Sequence, residues 1–127
     1  MSTTCFRDLE SSPVSGDEQS ALGEWYASVR DMPIRELGVD DLARACRQGL
    51  YLDHVVPVAL SVLRDDVKAG YQYDGELASV LTRLPLPFWR SNEDFLQSAV
   101  DVLKHGMSDL DEDVRKEVEE FLIANSA

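Results

Sequence analysis

The chain has 127 residues, which suits one globular domain with little material for a second, and its 44% of hydrophobic residues exclude an intrinsically disordered chain. Its 24 acidic and 12 basic residues give a formal net charge of -12 and a pI near 4.4, which argues against direct binding to nucleic acid or to an anionic membrane. A strongly negative chain instead suits a basic partner, although the same charge also keeps a protein soluble.

The N-terminal residues 1–17 mix Ser, Thr, Pro and Gly with little periodicity, so we expect a flexible arm followed by a single helical domain over residues 18–127. Phe6 and Leu9 are the apolar residues that can dock this arm. The start of the chain lacks a basic stretch followed by an apolar run, and its two cysteines do not suggest a disulfide scaffold. We therefore expect a cytoplasmic protein without a membrane span.

Apolar residues recur from residue 18 onwards at the spacing of one helical face, and no segment shows the sustained alternation of a strand. This pattern predicts an all-α fold, a compact bundle of about six short helices. The predicted helices begin near Glu18, Asp40 or Asp41, Asp53, Asp74, Ser91 or Asn92, and Asp109. We expect Asp40 or Asp41 to cap the second helix, Asp74 the fourth and Ser91 or Asn92 the fifth. Asp109 with Glu112 should form a capping box for the sixth.

The prolines place two further limits on these helices. Pro57 is compatible with the third helix if it lies in the first turn, where its missing N–H would have had no partner. The run LPLPFW at residues 84–89 cannot continue the fourth helix, because each proline removes a donor and restricts the residue before it. We expect a turn there that places Phe88 and Trp89 on the core.

The sequence contains no arrangement of residues typical of an enzyme site. His54 and His105 are the only histidines, and a position at a helix end explains each of them better than catalysis does. No HExxH, CxxC or glycine-rich phosphate loop occurs, and the paired carboxylates fit caps and solvated faces. We therefore expect no catalytic, cofactor-binding or metal-binding residues, no small-molecule substrate and no enzymatic activity.

Two acidic regions are candidate contact surfaces for a basic partner. One follows the third helix and combines tyrosines with carboxylates, which suits Arg and Lys side chains. The other is the last helix, since residues 106–127 hold seven acids and two bases. A structural role competes in both regions, because tyrosines also cover cores and acids are favourable at helix N-termini. The candidate partner-binding residues are Asp65, Asp66, Tyr71, Tyr73, Asp74, Glu76, Asp109, Asp111, Glu117 and Glu120.

The segment from Pro33 to Trp89 carries an ordered set of short motifs. They are an Arg-Gln dipeptide at residues 47–48, VPVAL at 56–60, YDGEL at 73–77 and LPLPFW at 84–89. This set, over about residues 33–90, resembles the immunity proteins of bacterial contact-dependent growth inhibition (CDI) systems, in a helical subgroup. The YDGEL and LPLPFW motifs mark either the fold or the contact surface of such a protein.

The resemblance implies an inhibitor made alongside a secreted toxin. Such a protein stays in the cytoplasm, forms a one-to-one complex with the toxin's C-terminal domain and blocks its active site. These toxins are often nucleases, whose basic substrate-binding surface an acidic inhibitor would cover. The competing interpretation is an acidic helical adaptor or regulatory domain that binds a host protein or a peptide helix.

Overall fold

The computed structural model describes residues 4–9, 21–70 and 72–125, and helices dominate these ranges. The all-α fold expected from the sequence is confirmed. The α-helices of these ranges are α1 (Phe6–Leu9), α2 (Ala21–Val29), α3 (Val39–Gln48), α4 (Leu52–Asp65), α5 (Glu76–Thr82), α6 (Leu86–Ser91), α7 (Glu93–Gly106) and α8 (Glu112–Asn125). Short 3-10 helices, Ile34–Glu36 and Met107–Asp109, precede α3 and α8. None of the helices in the described ranges has both the length and the apolar character needed to cross a membrane.

Two of these helices, α1 and α6, were not expected from the apolar spacing. The turn predicted for LPLPFW is instead helix α6, because Pro87 lies at the start of the helix, where a missing N–H costs no hydrogen bond. Trp89 is 1% exposed, and its ring lies 5.1 Å from the ring of half-buried Phe88. The placement of this aromatic pair on the core is therefore correct, although the local backbone prediction is wrong.

The prediction for Pro57 is also wrong. Helix α4 begins at Leu52, so Pro57 lies in the second turn, inside the helix. There its missing N–H removes one backbone hydrogen bond of the helix. The buried residues of α4 lie on both sides of this position, and they include Val55, Val56 and Ala59. Packing of this apolar face offsets the lost hydrogen bond.

The expected side-chain caps are replaced by other contacts. Helix α5 begins at Glu76 after Gly75, and Asp74 makes no capping hydrogen bond. Helix α3 begins after Gly38, and the carboxylate of Asp41 accepts a hydrogen bond from Trp25 Nε1 at 2.9 Å instead of capping. Helix α7 likewise begins without a hydrogen bond from a capping side chain.

The capping box predicted for the last helix is wrong, and the start predicted for the first falls outside the described residues. Asp109 lies in the 3-10 helix that precedes α8, and α8 begins at Glu112. The carbonyl of Asp111 accepts the N–H of Arg115 at 2.8 Å, so the main chain of Asp111 takes up the N-terminal position. Residue Glu18, where the first helix was expected to start, is not among the described residues.

Helix α5 is almost wholly buried in the bundle. It packs against α3, α4 and α8. The apolar residues that recur at helical spacing from Leu77 onwards are all buried: Leu77, Val80, Leu81 and, just after the end of α5, Leu84. Its other faces are buried too, so Glu76 and Ser79, each 1% exposed, are polar side chains in an apolar environment. Both therefore need partners inside the protein.

The described part of the N-terminal segment is docked on the bundle. Phe6 is fully buried, and its ring stacks on Tyr26 with centroids 5.7 Å apart. The carbonyl of Thr4 accepts the N–H of Ile34 at 2.9 Å, next to a bridge between Cys5 and Pro33. Docking through Phe6 is thus observed, whereas the division into an arm over 1–17 and a domain over 18–127 stays a prediction.

Candidate functional site

The packing of the bundle brings the two predicted acidic regions next to each other. Gly106, at the end of α7, lies against Val67, and a Cβ on this glycine would come within 2.6 Å of Cγ2 of Val67. A Cβ on Gly75 would come within 3.1 Å of Val114 and 3.3 Å of Leu110. The loop between α4 and α5 therefore touches both the end of α7 and the start of α8. Glycine at these two positions permits the close approach.

An acidic groove lies at this junction. It has a volume of about 470 Å³ and is lined by Leu63, Arg64, Asp65, Val67, Asp101, Val102, His105, Gly106 and Asp109. Three carboxylates from three different elements and one guanidinium, that of Arg64, line it, so its net charge is negative, and its apolar lining comes from leucine and valine. This combination suits a Lys or Arg side chain, whose aliphatic stem packs on apolar residues while its charged end reaches carboxylates.

Asp101 belongs to the groove although the sequence prediction did not include it. It is exposed in the middle of α7, away from any acidic run. The available signal was its spacing, because Asp101 and His105 are four residues apart and therefore share a helical face. The ring of His105 folds back on this turn, with Nδ1 2.7 Å from the carbonyl oxygen of Asp101. Since a carbonyl only accepts, Nδ1 carries the proton in this contact.

Most of the other predicted contact residues are exposed. Tyr73 is 43% exposed, and Asp66, Asp74, Asp111 and Glu120 are exposed as well. The carboxylate of Asp66 also accepts the backbone N–H two residues later, at 3.0 Å, which shapes the loop. Tyr71 lies outside the described residues.

Glu76 does not belong to the surface, and this candidate is corrected. Its side chain is buried, and its Oε2 accepts a hydrogen bond from the Arg47 guanidinium at 2.6 Å. Its Oε1 accepts the backbone N–H of Gln72 at 3.2 Å. The carboxylate is thus an internal partner that joins α3 to the start of α5. Arg47 and Glu76 come from two of the motifs quoted above, so these motif residues mark the fold.

Glu117 also serves the interior more than the surface. It is half-buried, its Oε2 accepts a short hydrogen bond from Ser79 Oγ, and its Oε1 accepts one from Arg83 at 2.6 Å. The hydrogen bond and the charge of Glu117 raise the pKa of Arg83 above its usual value. Glu117 therefore links α8 to α5, which supplies the partner that buried Ser79 requires.

His54 and Cys46 are two further side chains with reactive groups. His54 is exposed, and Cys46 is buried, with its pKa raised to about 12 by burial. A thiol in such a site is protonated near neutral pH and is a poor nucleophile. No group of three or more His, Cys, Asp or Glu side chains within the described ranges is arranged to hold a metal ion.

Comparison with known proteins identifies the family. A family model of CDI immunity proteins matches residues 8–99, which is more than half of the chain and includes all the motifs from Arg47 to Trp89. A search of curated proteins gave no match. The family match ends within α7, so α8 lies beyond it. The resemblance seen in the sequence is confirmed, and the chain belongs to the CDI immunity proteins.

Proposed function

We propose that this protein protects the cell that makes it by binding the C-terminal toxin domain of a CDI system, one to one, in the cytoplasm. We further propose that the toxin is a nuclease and that the acidic groove covers its basic active-site surface. The observation that carries this proposal is that Asp65, Asp101 and Asp109 line one groove, which stays net negative with Arg64 included. The exposed residues Asp66 and Asp111 lie one and two residues from groove residues in the sequence and extend the negative surface.

The chemistry of a nuclease explains why such a surface inhibits it. A nuclease that holds a phosphate backbone needs clustered Lys and Arg side chains at its substrate site. Those same side chains complement the carboxylates of the groove, so an inhibitor bound there competes with the substrate. The net charge of -12 adds long-range attraction that speeds the encounter. Inhibition of this kind requires binding alone and no catalytic group in the inhibitor.

The test is an inhibition assay with the purified toxin domain encoded immediately upstream of this protein. Cleavage of RNA and of DNA is measured with increasing inhibitor, and we expect activity to vanish near one equivalent. The variant Asp101→Lys should weaken inhibition by at least about tenfold, because the lysine would repel the basic side chains of the toxin in the complex. Glu119→Lys is the matched control, since it is an exposed position inside a helix with the same change of charge.

Each outcome of this assay has a clear meaning. Equal losses in the two variants would show that only net charge matters and would remove the groove from the proposal. Full toxin activity in an excess of wild-type protein would contradict the proposed function itself. Recovery of a defined partner from cells that lack any toxin would favour an adaptor in its place.

A further inference from the structure

A second groove lies on another part of the bundle, between α5, α6 and α8. We call it the tryptophan groove; its volume is about 520 Å³, and its apolar lining includes Leu86, Trp89 and Phe121. The rings of Trp89 and Phe121 meet edge to face at 5.6 Å and form a rigid wall. None of the residues that line it is shared with the acidic groove. It is therefore a separate surface.

One feature leaves this groove open to a partner in the isolated protein. Leu86 is 47% exposed, which makes it one of the most exposed large apolar residues in the described ranges. The wall beside it is closed, since Trp89 is 1% exposed. A partner that seats on the groove would cover Leu86.

The charges at the rim indicate the chemistry of the partner. Arg83 is engaged by Glu117, so this pair contributes no net charge. Glu120 also lines the groove, and no ion-pair partner for it occurs in the part of the chain that the structure describes. The rim therefore has a net negative charge beside an apolar floor. Such a surface complements an apolar side chain that has a Lys or Arg next to it.

We infer that the tryptophan groove is a second docking surface for the toxin domain, which inserts an apolar side chain beside Leu86 and Phe121 and a basic one beside Glu120. This inference rests on the proposed function. Interfaces of this kind concentrate their binding free energy in a few apolar anchors surrounded by polar residues. The acidic groove then attracts the toxin, and the tryptophan groove slows its release.

The inference is tested by calorimetry with the purified toxin domain encoded upstream and the variant Leu86→Asp. Leu86 is the first residue of α6, where an acidic side chain is favourable, so the helix is expected to form normally. We expect the dissociation constant to rise by at least about tenfold, even though the added negative charge alone would strengthen attraction to a basic toxin. Met32→Asp is the matched control, since Met32 is 39% exposed and lies outside the groove. It should change the constant by less than about twofold.

The outcomes separate this inference from the proposed function. If Leu86→Asp binds as tightly as wild type, the tryptophan groove is not a docking surface, while the proposed function stands. If the wild-type protein does not bind the toxin at all, both proposals are overturned. Circular dichroism establishes that the variant is folded; if it is not, Leu86→Ser, which keeps the site neutral, takes its place in the same comparison with the same two readings.

Discussion

At the scale of single residues, the ion pair between Arg47 and Glu76 places a carboxylate inside the protein. The Glu76 carboxylate is 1% exposed, whereas the Arg47 side chain is 41% exposed. Loss of the arginine would remove a guanidinium from a buried carboxylate, whereas loss of the glutamate would leave an arginine that can still reach water. The two substitutions are therefore unequal.

We expect Arg47→Met to lower the free energy of unfolding by about 3 kcal/mol, because methionine keeps much of the apolar stem but removes the guanidinium from the buried carboxylate. Arg44→Met is the control, since the Arg44 guanidinium lies 5.2 Å above the Trp25 ring, a contact typically worth about 1 kcal/mol. Urea unfolding of both variants measures the difference. A cost for Arg47→Met no larger than that for Arg44→Met would contradict the assigned role of the pair.

The thiol of Cys46 predicts how stability responds to high pH. Burial raises its pKa from 9.0 to about 12, so between these values the folded protein keeps a proton that the unfolded chain loses. Its contribution is fully present below pH 9, and the free energy of unfolding then falls by about 1.4 kcal/mol for each pH unit. The difference between wild type and Cys46→Ala, followed by urea unfolding from pH 8 to 11, should show this slope. A difference that does not depend on pH would contradict it.

At the scale of elements, α5 shows which features of a helix the sequence predicts and which depend on contacts with other segments. The spacing of its apolar residues correctly predicted the buried face, because helical periodicity reflects which side meets the core. The predicted start, with Asp74 as the cap, was wrong. The N–H of Leu77 donates to the carbonyl of Ala69 at 3.1 Å, and the N–H of Gly75 donates to the carbonyl of Lys68 at 2.8 Å. The preceding loop thus supplies these acceptors through its own main chain. A prediction based on capping side chains does not detect such contacts.

Two glycines with positive φ allow the stability cost of backbone strain to be measured apart from the cost of steric overlap. Gly49 has φ +68 and open space around its missing Cβ, whereas Gly75 has φ +86 and lies against Val114 and Leu110. Gly49→Ala should cost about 1 kcal/mol from backbone strain alone. Gly75→Ala adds steric overlap with α8, so we expect a cost at least about 1 kcal/mol larger. Thermal and urea unfolding test this order, and equal costs would show that the approach of Gly75 to α8 is not tight.

At the scale of the whole molecule, the acidic groove depends on contacts between distant parts of the chain. The sequence identified Asp65 and Asp109 as acids in negative regions, but not their meeting with Asp101 in one groove. That meeting requires the approach of Val67 to Gly106, which no local pattern encodes. Glu76 was misassigned for the same reason, because its partner Arg47 is 29 residues away. The negative charge of this surface was therefore easier to predict from the sequence than the residues that form it.

The net charge predicts a kinetic signature for binding to the toxin domain. Attraction between exposed charges is screened over about 8 Å at physiological ionic strength and over about 30 Å at 0.01 M. We therefore expect the association rate constant to fall by about tenfold or more between these conditions, with a much smaller change in the dissociation rate. Stopped-flow fluorescence measures the association rate directly. An association rate that does not respond to salt would mean that the acidity serves solubility only.

We propose that this CDI immunity protein neutralises a toxin by binding it. The growth of cells that produce the toxin domain encoded immediately upstream, with and without this protein, tests this proposal. We expect growth to stop in the absence of the protein and to continue in its presence. Equal loss of growth in both cultures, with the protein folded and present, would contradict it.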